Sequence, residues 1–104
     1  MNDGDDRSHV PAVEGADVRV LEIVNKKGLH ARASAKFCQT VERFDADVRV
    51  TRGHETVGGT SIMGLMMLGA GTGSKIIIEA TGNEAAAVAD ALEKLVSSGF
   101  GEED

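Results

Sequence analysis

Ala46, Val48 and Val50 alternate with Asp47, Arg49 and Thr51, and the run breaks at Arg52-Gly53-His54-Glu55. Strict alternation predicts a strand with one buried face. A glycine inside so short a break predicts a hairpin, with Glu55 to Val57 as the returning strand. A hairpin fixes an antiparallel pair, and the rest of the chain has to be arranged around it. His54 falls in the polar turn and is expected to be exposed; no metal-ligand spacing gives it a second role.

The flanking segments alternate in type. Val18, Val20, Leu21, Ile23 and Val24 make the stretch from Asp17 to Val24 rich in β-branched residues, which predicts a first strand whose buried face is ambiguous. A helix is predicted from about Ala31 to Arg43, because Ala33, Phe37, Val41 and Phe44 recur at helical spacing. Ser61 is a good N-cap for a short helix over Ile62 to Leu68. Gly69, Gly71 and Gly73 read as a flexible link, and Lys75 to Glu79 as another strand. Gly82-Asn83 reads as a turn and cap before a helix from Glu84 to Ser97, with Ala85, Val88, Leu92, Leu95 and Val96 on one face. Ser98 onward reads as a frayed acidic end.

The order is therefore strand, helix, strand, strand, helix, strand, helix. It predicts an α+β fold, a two-layer open-faced sandwich whose four-stranded antiparallel sheet carries three helices on one face. The 104 residues fit one domain. The expected organisation is a flexible acidic N-terminal tail over 1–16, a folded domain over 17–98 and an acidic C-terminal tail over 99–104. His9, in the first of these, receives no role.

Charge and composition exclude several classes. The net charge of −6 resides in the two tails, and residues 17–100 balance acids against bases. Nucleic-acid binding needs clustered cations and commonly uses stacking aromatics; this chain has neither the balance nor any Trp or Tyr. The longest apolar run, from Ile62 to Gly71, is glycine-interrupted and too short to span a bilayer. Cys38 is the one cysteine, so neither an intramolecular disulfide nor a zinc site of usual spacing is expected. It reads as a small buried apolar group. With no signal peptide in view, a cytoplasmic protein is expected, without metal or cofactor.

From Ile23 to Val41 the sequence holds Lys26, Lys27, Arg32 and Lys36 and no acid. Gly28 can turn the chain sharply before His30. His30 then stands where the helix begins, among N–H groups that have no intrahelical acceptor. Such an end attracts anions. A histidine there is placed to take a phosphoryl group and hold it against backbone donors and Arg32. The alternative on these residues alone is a capping or solvent-exposed histidine on a solvated positive face.

The short helix after Ser61 is apolar nearly all round and holds three of the four methionines. It cannot bury every face against one side of a sheet. Some of Ile62, Met63, Met66 and Met67 are expected at the surface, where methionine suits an adaptable partner surface. The alternative is a helix sunk in a cleft. On these grounds an ACT-like or ferredoxin-like small-molecule-binding domain stays open, as does a non-catalytic binding module controlled through Ser61.

Gly28-Leu29-His30-Ala31-Arg32, followed by Ala33-Ser34-Ala35-Lys36-Phe37, resembles the active-site motif of HPr, the histidine-containing phosphocarrier of the phosphoenolpyruvate-dependent phosphotransferase system. Gly59-Thr60-Ser61-Ile62-Met63-Gly64-Leu65-Met66 resembles that family's second motif, its regulatory serine and middle helix. His30 and Ser61 lie 31 positions apart, as in the family, and the resemblance covers about residues 17–98. It implies a stoichiometric phosphocarrier rather than a turnover enzyme, and a monomer. His30 would take phosphorus on Nδ1 from phospho-enzyme I and pass it to an enzyme IIA-type protein, with Arg32 neutralising the charge. Ser61 would be the target of an HPr kinase/phosphorylase where one exists. Ala31, Ile62, Met63 and Met66 would belong to the docking surface. Ala33 departs from the family's usual proline, and alanine keeps the first helical turn. The His-Ala-Arg-Ala-Ser form and the Met-rich helix look more like regulatory, nitrogen-type systems than sugar-transporting ones.

Overall fold

The computed structural model describes residues 15–102. His9 and almost all of the 1–16 segment therefore lie outside the described residues, as do positions 103 and 104. The elements run β1 (Asp17–Glu22), α1 (Ala31–Glu42), β2 (Asp47–Arg52), β3 (Glu55–Gly58), α2 (Ile62–Met67), β4 (Lys75–Thr81) and α3 (Ala85–Ser97). A single 3-10 turn, Gly99–Gly101, follows α3.

The sheet has the order β1-β4-β2-β3, and every neighbouring pair is antiparallel. The hairpin expected from the alternating run is present. Arg52 pairs with Glu55 across the Gly53-His54 turn, where Gly53 takes φ +62°, and His54 is exposed. Register settles the face of β1 that its sequence left ambiguous. Leu21 pairs with Ile76 and both are buried, while Val18 and Val20 point to the other face and are exposed.

The core lies between sheet and helices. Leu21, Val48, Val50, Ile76, Ile78 and Ala80 contribute from the strands. Ala33, Phe37 and Val41 of α1, Leu65 of α2, and Val88, Leu92 and Val96 of α3 close over them. Each large side chain removed from water contributes about 1.5–3 kcal/mol. The α1 stripe is as its periodicity indicated, with Phe44 partly buried at its end. Cys38 is buried beside it, and desolvation pushes its thiol up from the ordinary value. Arg19 ties β1 to α3, donating from Nη1 to Asp90 at 2.6 Å and Glu93 at 2.9 Å.

Three local expectations are corrected. The N-cap of α3 is Glu84, not Asn83, and it makes no side-chain cap bond. Both side chains are used elsewhere: Glu84 Oε1 accepts from the Asp45 amide at 2.6 Å, and Asn83 Nδ2 donates to Asp45 Oδ2 at 2.9 Å. The 69–74 stretch is not a loose link. Ile23 is bonded to it twice, its amide donating to Ser74 O (2.8 Å) and its carbonyl accepting from the Gly73 amide (2.7 Å). Thr72 Oγ1 donates to the Asn25 carbonyl at 2.5 Å, and Ala70 is buried. Its glycines serve the turn, but Ala70 O, Gly73 N and Ser74 O are bonded across to the segment between β1 and α1.

The third correction concerns the chain after α3. Phe100 is 1% exposed and belongs to the core. Gly99, Phe100 and Gly101 all take positive φ, at 66°, 60° and 71°. Two of the three are glycines, which adopt that region freely; Phe100 is held there by burial of its ring. Three left-handed residues in succession reverse the chain, so Glu102 returns toward the start of α1 instead of fraying.

Candidate functional site

The β1–α1 loop is shaped by Gly28. It takes φ +65°, and a Cβ added there would sit 2.3 Å from the carbonyl oxygen of Ala70. That close approach lets the Leu29 amide donate to Ala70 O at 3.0 Å. The loop therefore delivers His30 to the first residue position before α1, with extended backbone (φ −73°, ψ −179°).

His30 is the N-cap of α1. Its Nδ1 accepts from the Arg32 amide at 3.2 Å, and its carbonyl accepts from the Ser34 amide at 2.8 Å. The ring uses a nitrogen where most caps use an oxygen. Its other nitrogen, Nε2, is paired with Glu102 Oε2. An ionised carboxylate only accepts, so these two contacts assign the ring proton to Nε2 and the lone pair to Nδ1. The His30 side chain is 26% exposed, so the ring is neither sunk in the core nor detached from the helix end.

Around the ring lies a pocket of about 610 Å³ lined by Lys27, His30, Ala31, Arg32, Lys36, Gly101 and Glu102. Arg32 is exposed at its edge and makes no ion pair among the described residues. Lys36 Nζ donates to the Phe100 carbonyl at 2.7 Å, which ties α1 to the segment after α3. The Arg32 amide, in the first turn of α1, points at Nδ1 beside the same space. Three basic side chains and the N-terminus of α1 thus border the pocket that holds the His30 ring, against the one carboxylate of Glu102, a setting that attracts a tetrahedral anion.

Ser61 caps α2, its Oγ accepting from the Gly64 amide at 2.9 Å, and it is exposed. Gly64 has to be small, since a Cβ there would meet Ser61 Oγ at 2.8 Å and Val57 Cβ at 3.0 Å. Only Leu65 of α2 is buried. Ile62 (43%), Met63 (70%), Met66 (44%) and Met67 (74%) are exposed, so the helix is not sunk in a cleft. Ala31 is exposed as well, and α1 packs against α2.

Two groups at the site escaped sequence reasoning. Glu102, which its acidic neighbours place in a tail, touches the ring of His30. Asn25, to which the sequence analysis gives no part, is buried and donates from Nδ2 to Gly28 O at 2.9 Å and to Glu102 Oε1 at 3.1 Å. The available signal was Phe100 between two glycines: a lone large apolar residue with flexible flanks is an anchor rather than a tail.

The family model described as the "PTS HPr component phosphorylation site" matches residues 18–98. A phosphocarrier protein HPr of Neisseria meningitidis is 50% identical over 82 residues, covering 79% of this chain and 92% of the relative. One from Cupriavidus necator is 46% identical over 84 residues, covering 81% and 94%. The crystal structure of HPr-C-His from Thermoanaerobacter tengcongensis superposes with a TM-score of 0.80 at 39% identity, covering 85% of this chain and 99% of that one. These matches set aside the small-molecule sensor. No helix among the described residues is long and apolar enough to cross a membrane.

Proposed function

The chain belongs to the HPr family of phosphocarrier proteins of the phosphotransferase system, and we propose that it carries its phosphoryl group on Nδ1 of His30. As a phosphocarrier it is a stoichiometric relay, not a turnover enzyme. The observation that supports His30 is the direction of its lone pair. Nδ1 faces the Arg32 amide in the first turn of α1, beside a pocket that Lys27, Arg32 and Lys36 make positive.

Phosphoryl transfer asks a protein mainly for positioning and charge stabilisation. The Arg32 amide sits 3.2 Å from Nδ1, at the long end of hydrogen-bond distances. When Nδ1 bonds phosphorus, that amide loses little and is placed to donate to a phosphoryl oxygen instead. The Arg32 guanidinium, free of ion pairs among the described residues, neutralises the added charge.

The donor is phospho-enzyme I, which draws on phosphoenolpyruvate, and the acceptor is an enzyme IIA-type protein. Both dock on the exposed surface of Ala31, Ile62, Met63 and Met66 next to the ring, and the carrier works as a cytoplasmic monomer. Phosphorylation of Ser61 by an HPr kinase/phosphorylase adds about −1.5 to −2 charges beside this apolar patch and weakens docking. The exposure of Ser61 beside Ile62 and Met63 supports that second modification. The His-Ala-Arg-Ala-Ser form and the methionines of α2 favour a regulatory, nitrogen-type system over sugar transport.

Incubation with enzyme I and labelled phosphoenolpyruvate tests the central reading. An acid-labile phosphate should appear on the chain, and His30→Ala should abolish it. Acid-stable label that requires ATP would instead mark Ser61 alone and defeat the carrier reading.

A further inference from the structure

The sheet has a second face. Ile76, Ile78 and Ala80 of β4 turn into the core, so alternation puts Ile77, Glu79 and Thr81 on the side away from the helices. Across from them, Val18 pairs with Glu79 and Val20 with Ile77, while Arg49 pairs with Glu79 from β2. Val18 (36%) and Val20 (57%) are exposed there, and the Arg49 side chain is 45% exposed. Glu79, set between Val18 and Arg49, is nevertheless only 4% exposed. Its Oε1 lies 3.8 Å from Arg49 Nη1. A glutamate is almost never withdrawn from water to that degree on an uncovered surface. The buried residues of α1, α2 and α3 all belong to the core on the opposite side of the sheet, so no described helix supplies the cover.

We propose that this open face is a docking surface for the chain's own N-terminal segment, with Val10-Pro11-Ala12-Val13 lying across Val18, Val20 and Ile77 and closing over Glu79. Ala16 lines a hollow of about 220 Å³ together with Asp47, Arg49, Glu79 and Thr81. The described chain therefore starts on the rim of the buried carboxylate. Gly15 takes φ +87° in a turn, which breaks the line of β1 and sends the preceding residues off its axis. Val10 stands five positions before Gly15, a reach of up to about 17 Å. Crossing from β1 over β4 to β2 takes only about 10 Å. The run from Val10 to Val13 carries no charge, and its side chains match the apolar character of Val18, Val20 and Ile77. Pro11 has no amide to donate, so the run is unsuited to extend the sheet at the β1 edge and covers the face through its side chains.

A tethered segment has the advantage over a second copy. Joined to the sheet through two residues, Val13 is held near the face at a high effective concentration, whereas a second copy has to give up translational and rotational freedom to bind. The net charge of −6 also sets copies against each other. The location matters for the carrier. Asp17 begins β1, and His30 follows beyond the other end of that strand, which is about 17–20 Å long. The segment thus covers an apolar surface that the helices leave open, while the His30 pocket and the methionines of α2 stay accessible. The inference does not depend on the reading of His30.

The test uses the full chain with ¹³C-labelled valine and isoleucine methyls. Nuclear Overhauser cross-peaks should join Val10 or Val13 to Ile77, a contact that sequence proximity cannot produce. In the double variant Val10→Ser, Val13→Ser those cross-peaks should vanish, and the methyl resonances of Val18, Val20 and Ile77 and the amide of Glu79 should shift. Resonances of α1 and α2 should stay in place, and the rate of phosphoryl acceptance from phospho-enzyme I should equal that of the parent. Absence of cross-peaks to Ile77 in the parent overturns the proposal. So do cross-peaks from Val10 and Val13 to the α2 methyl of Ile62 instead. A sample mixing labelled and unlabelled chains separates the remaining occupant: cross-peaks that prove intermolecular, with sedimentation as a dimer, assign the face to a second copy and are equally fatal. The parent spectrum alone decides the matter if the double variant is poorly folded.

Discussion

Gly28 and Ala70 touch where no side chain fits: a Cβ on Gly28 would lie 2.3 Å from the Ala70 carbonyl oxygen, and 2.8 Å from the Cα of Gly71. Both neighbours are backbone, which cannot swing aside as a flexible side chain would. The contact joins the loop that presents His30 to the loop that follows α2.

Gly28→Ala is expected to lower stability by about 2–4 kcal/mol, combining a left-handed backbone that alanine disfavours with a backbone clash. Urea unfolding followed by circular dichroism reads the loss. A midpoint equal to that of the parent would show that the 69–74 stretch yields freely and that the pinning described above is weak.

Arg32→Ala separates chemistry from folding. The side chain is exposed and pairs with no acid among the described residues, so stability should stay within about 0.5 kcal/mol. The rate of phosphoryl acceptance should nonetheless fall about tenfold or more, the scale of a lost charge-assisted contact of roughly 1.5–3 kcal/mol. A parental rate in a stopped assay with enzyme I would remove Arg32 from the site.

Ser61→Ala and Ser61→Asp should part company in the opposite sense. Alanine loses the cap bond to the Gly64 amide and should cost about 1 kcal/mol in thermal unfolding. Aspartate is as good a cap, so its stability should be near that of the parent, yet it places a charge beside Ile62 and Met63. Partner binding, measured by calorimetry against enzyme I, should weaken in Ser61→Asp and not in Ser61→Ala. Equal binding by both would detach Ser61 from the docking surface.

The Glu102 carboxyl is held below its ordinary range, first by its hydrogen bond with His30 and then by that with Asn25. The sign follows: a depressed folded value means the contact contributes stability above the unfolded value, about 4.3, and loses it as pH falls through the lower folded value. The Glu102 contribution to docking of the Gly99–Glu102 segment should weaken as pH falls below about 4. The Glu102 side-chain carboxyl resonance, followed by ¹³C NMR through acid, gives the midpoint. Titration at or above the ordinary glutamate value would contradict the contact.

Phe100→Ala should cost about 3–5 kcal/mol as a large-to-small change in the core. It should also release Glu102, visible as faster exchange of the Glu102 amide that now donates to Gly99 O. Amide exchange in Phe100→Ala no faster than in the parent would mean that the segment is held by its hydrogen bonds alone.

The amino-acid sequence by itself determined the elements, their order and the place of His30 at the start of α1. Each depends on forces that act over a few residues: alternation puts Val48 and Val50 on one side of a strand, helical spacing gathers Ala33, Phe37 and Val41, and a cap needs only the residues that begin a helix. Folding alone decided which face of β1 turns inward, because that depends on its pairing with β4, more than fifty positions away. It also decided that Glu102 sits on His30, 72 positions earlier. No local pattern encodes that meeting. It follows from Phe100 burying its ring and from three left-handed residues that send the chain back across the domain, so a stretch whose composition resembles a solvated tail becomes one wall of the pocket.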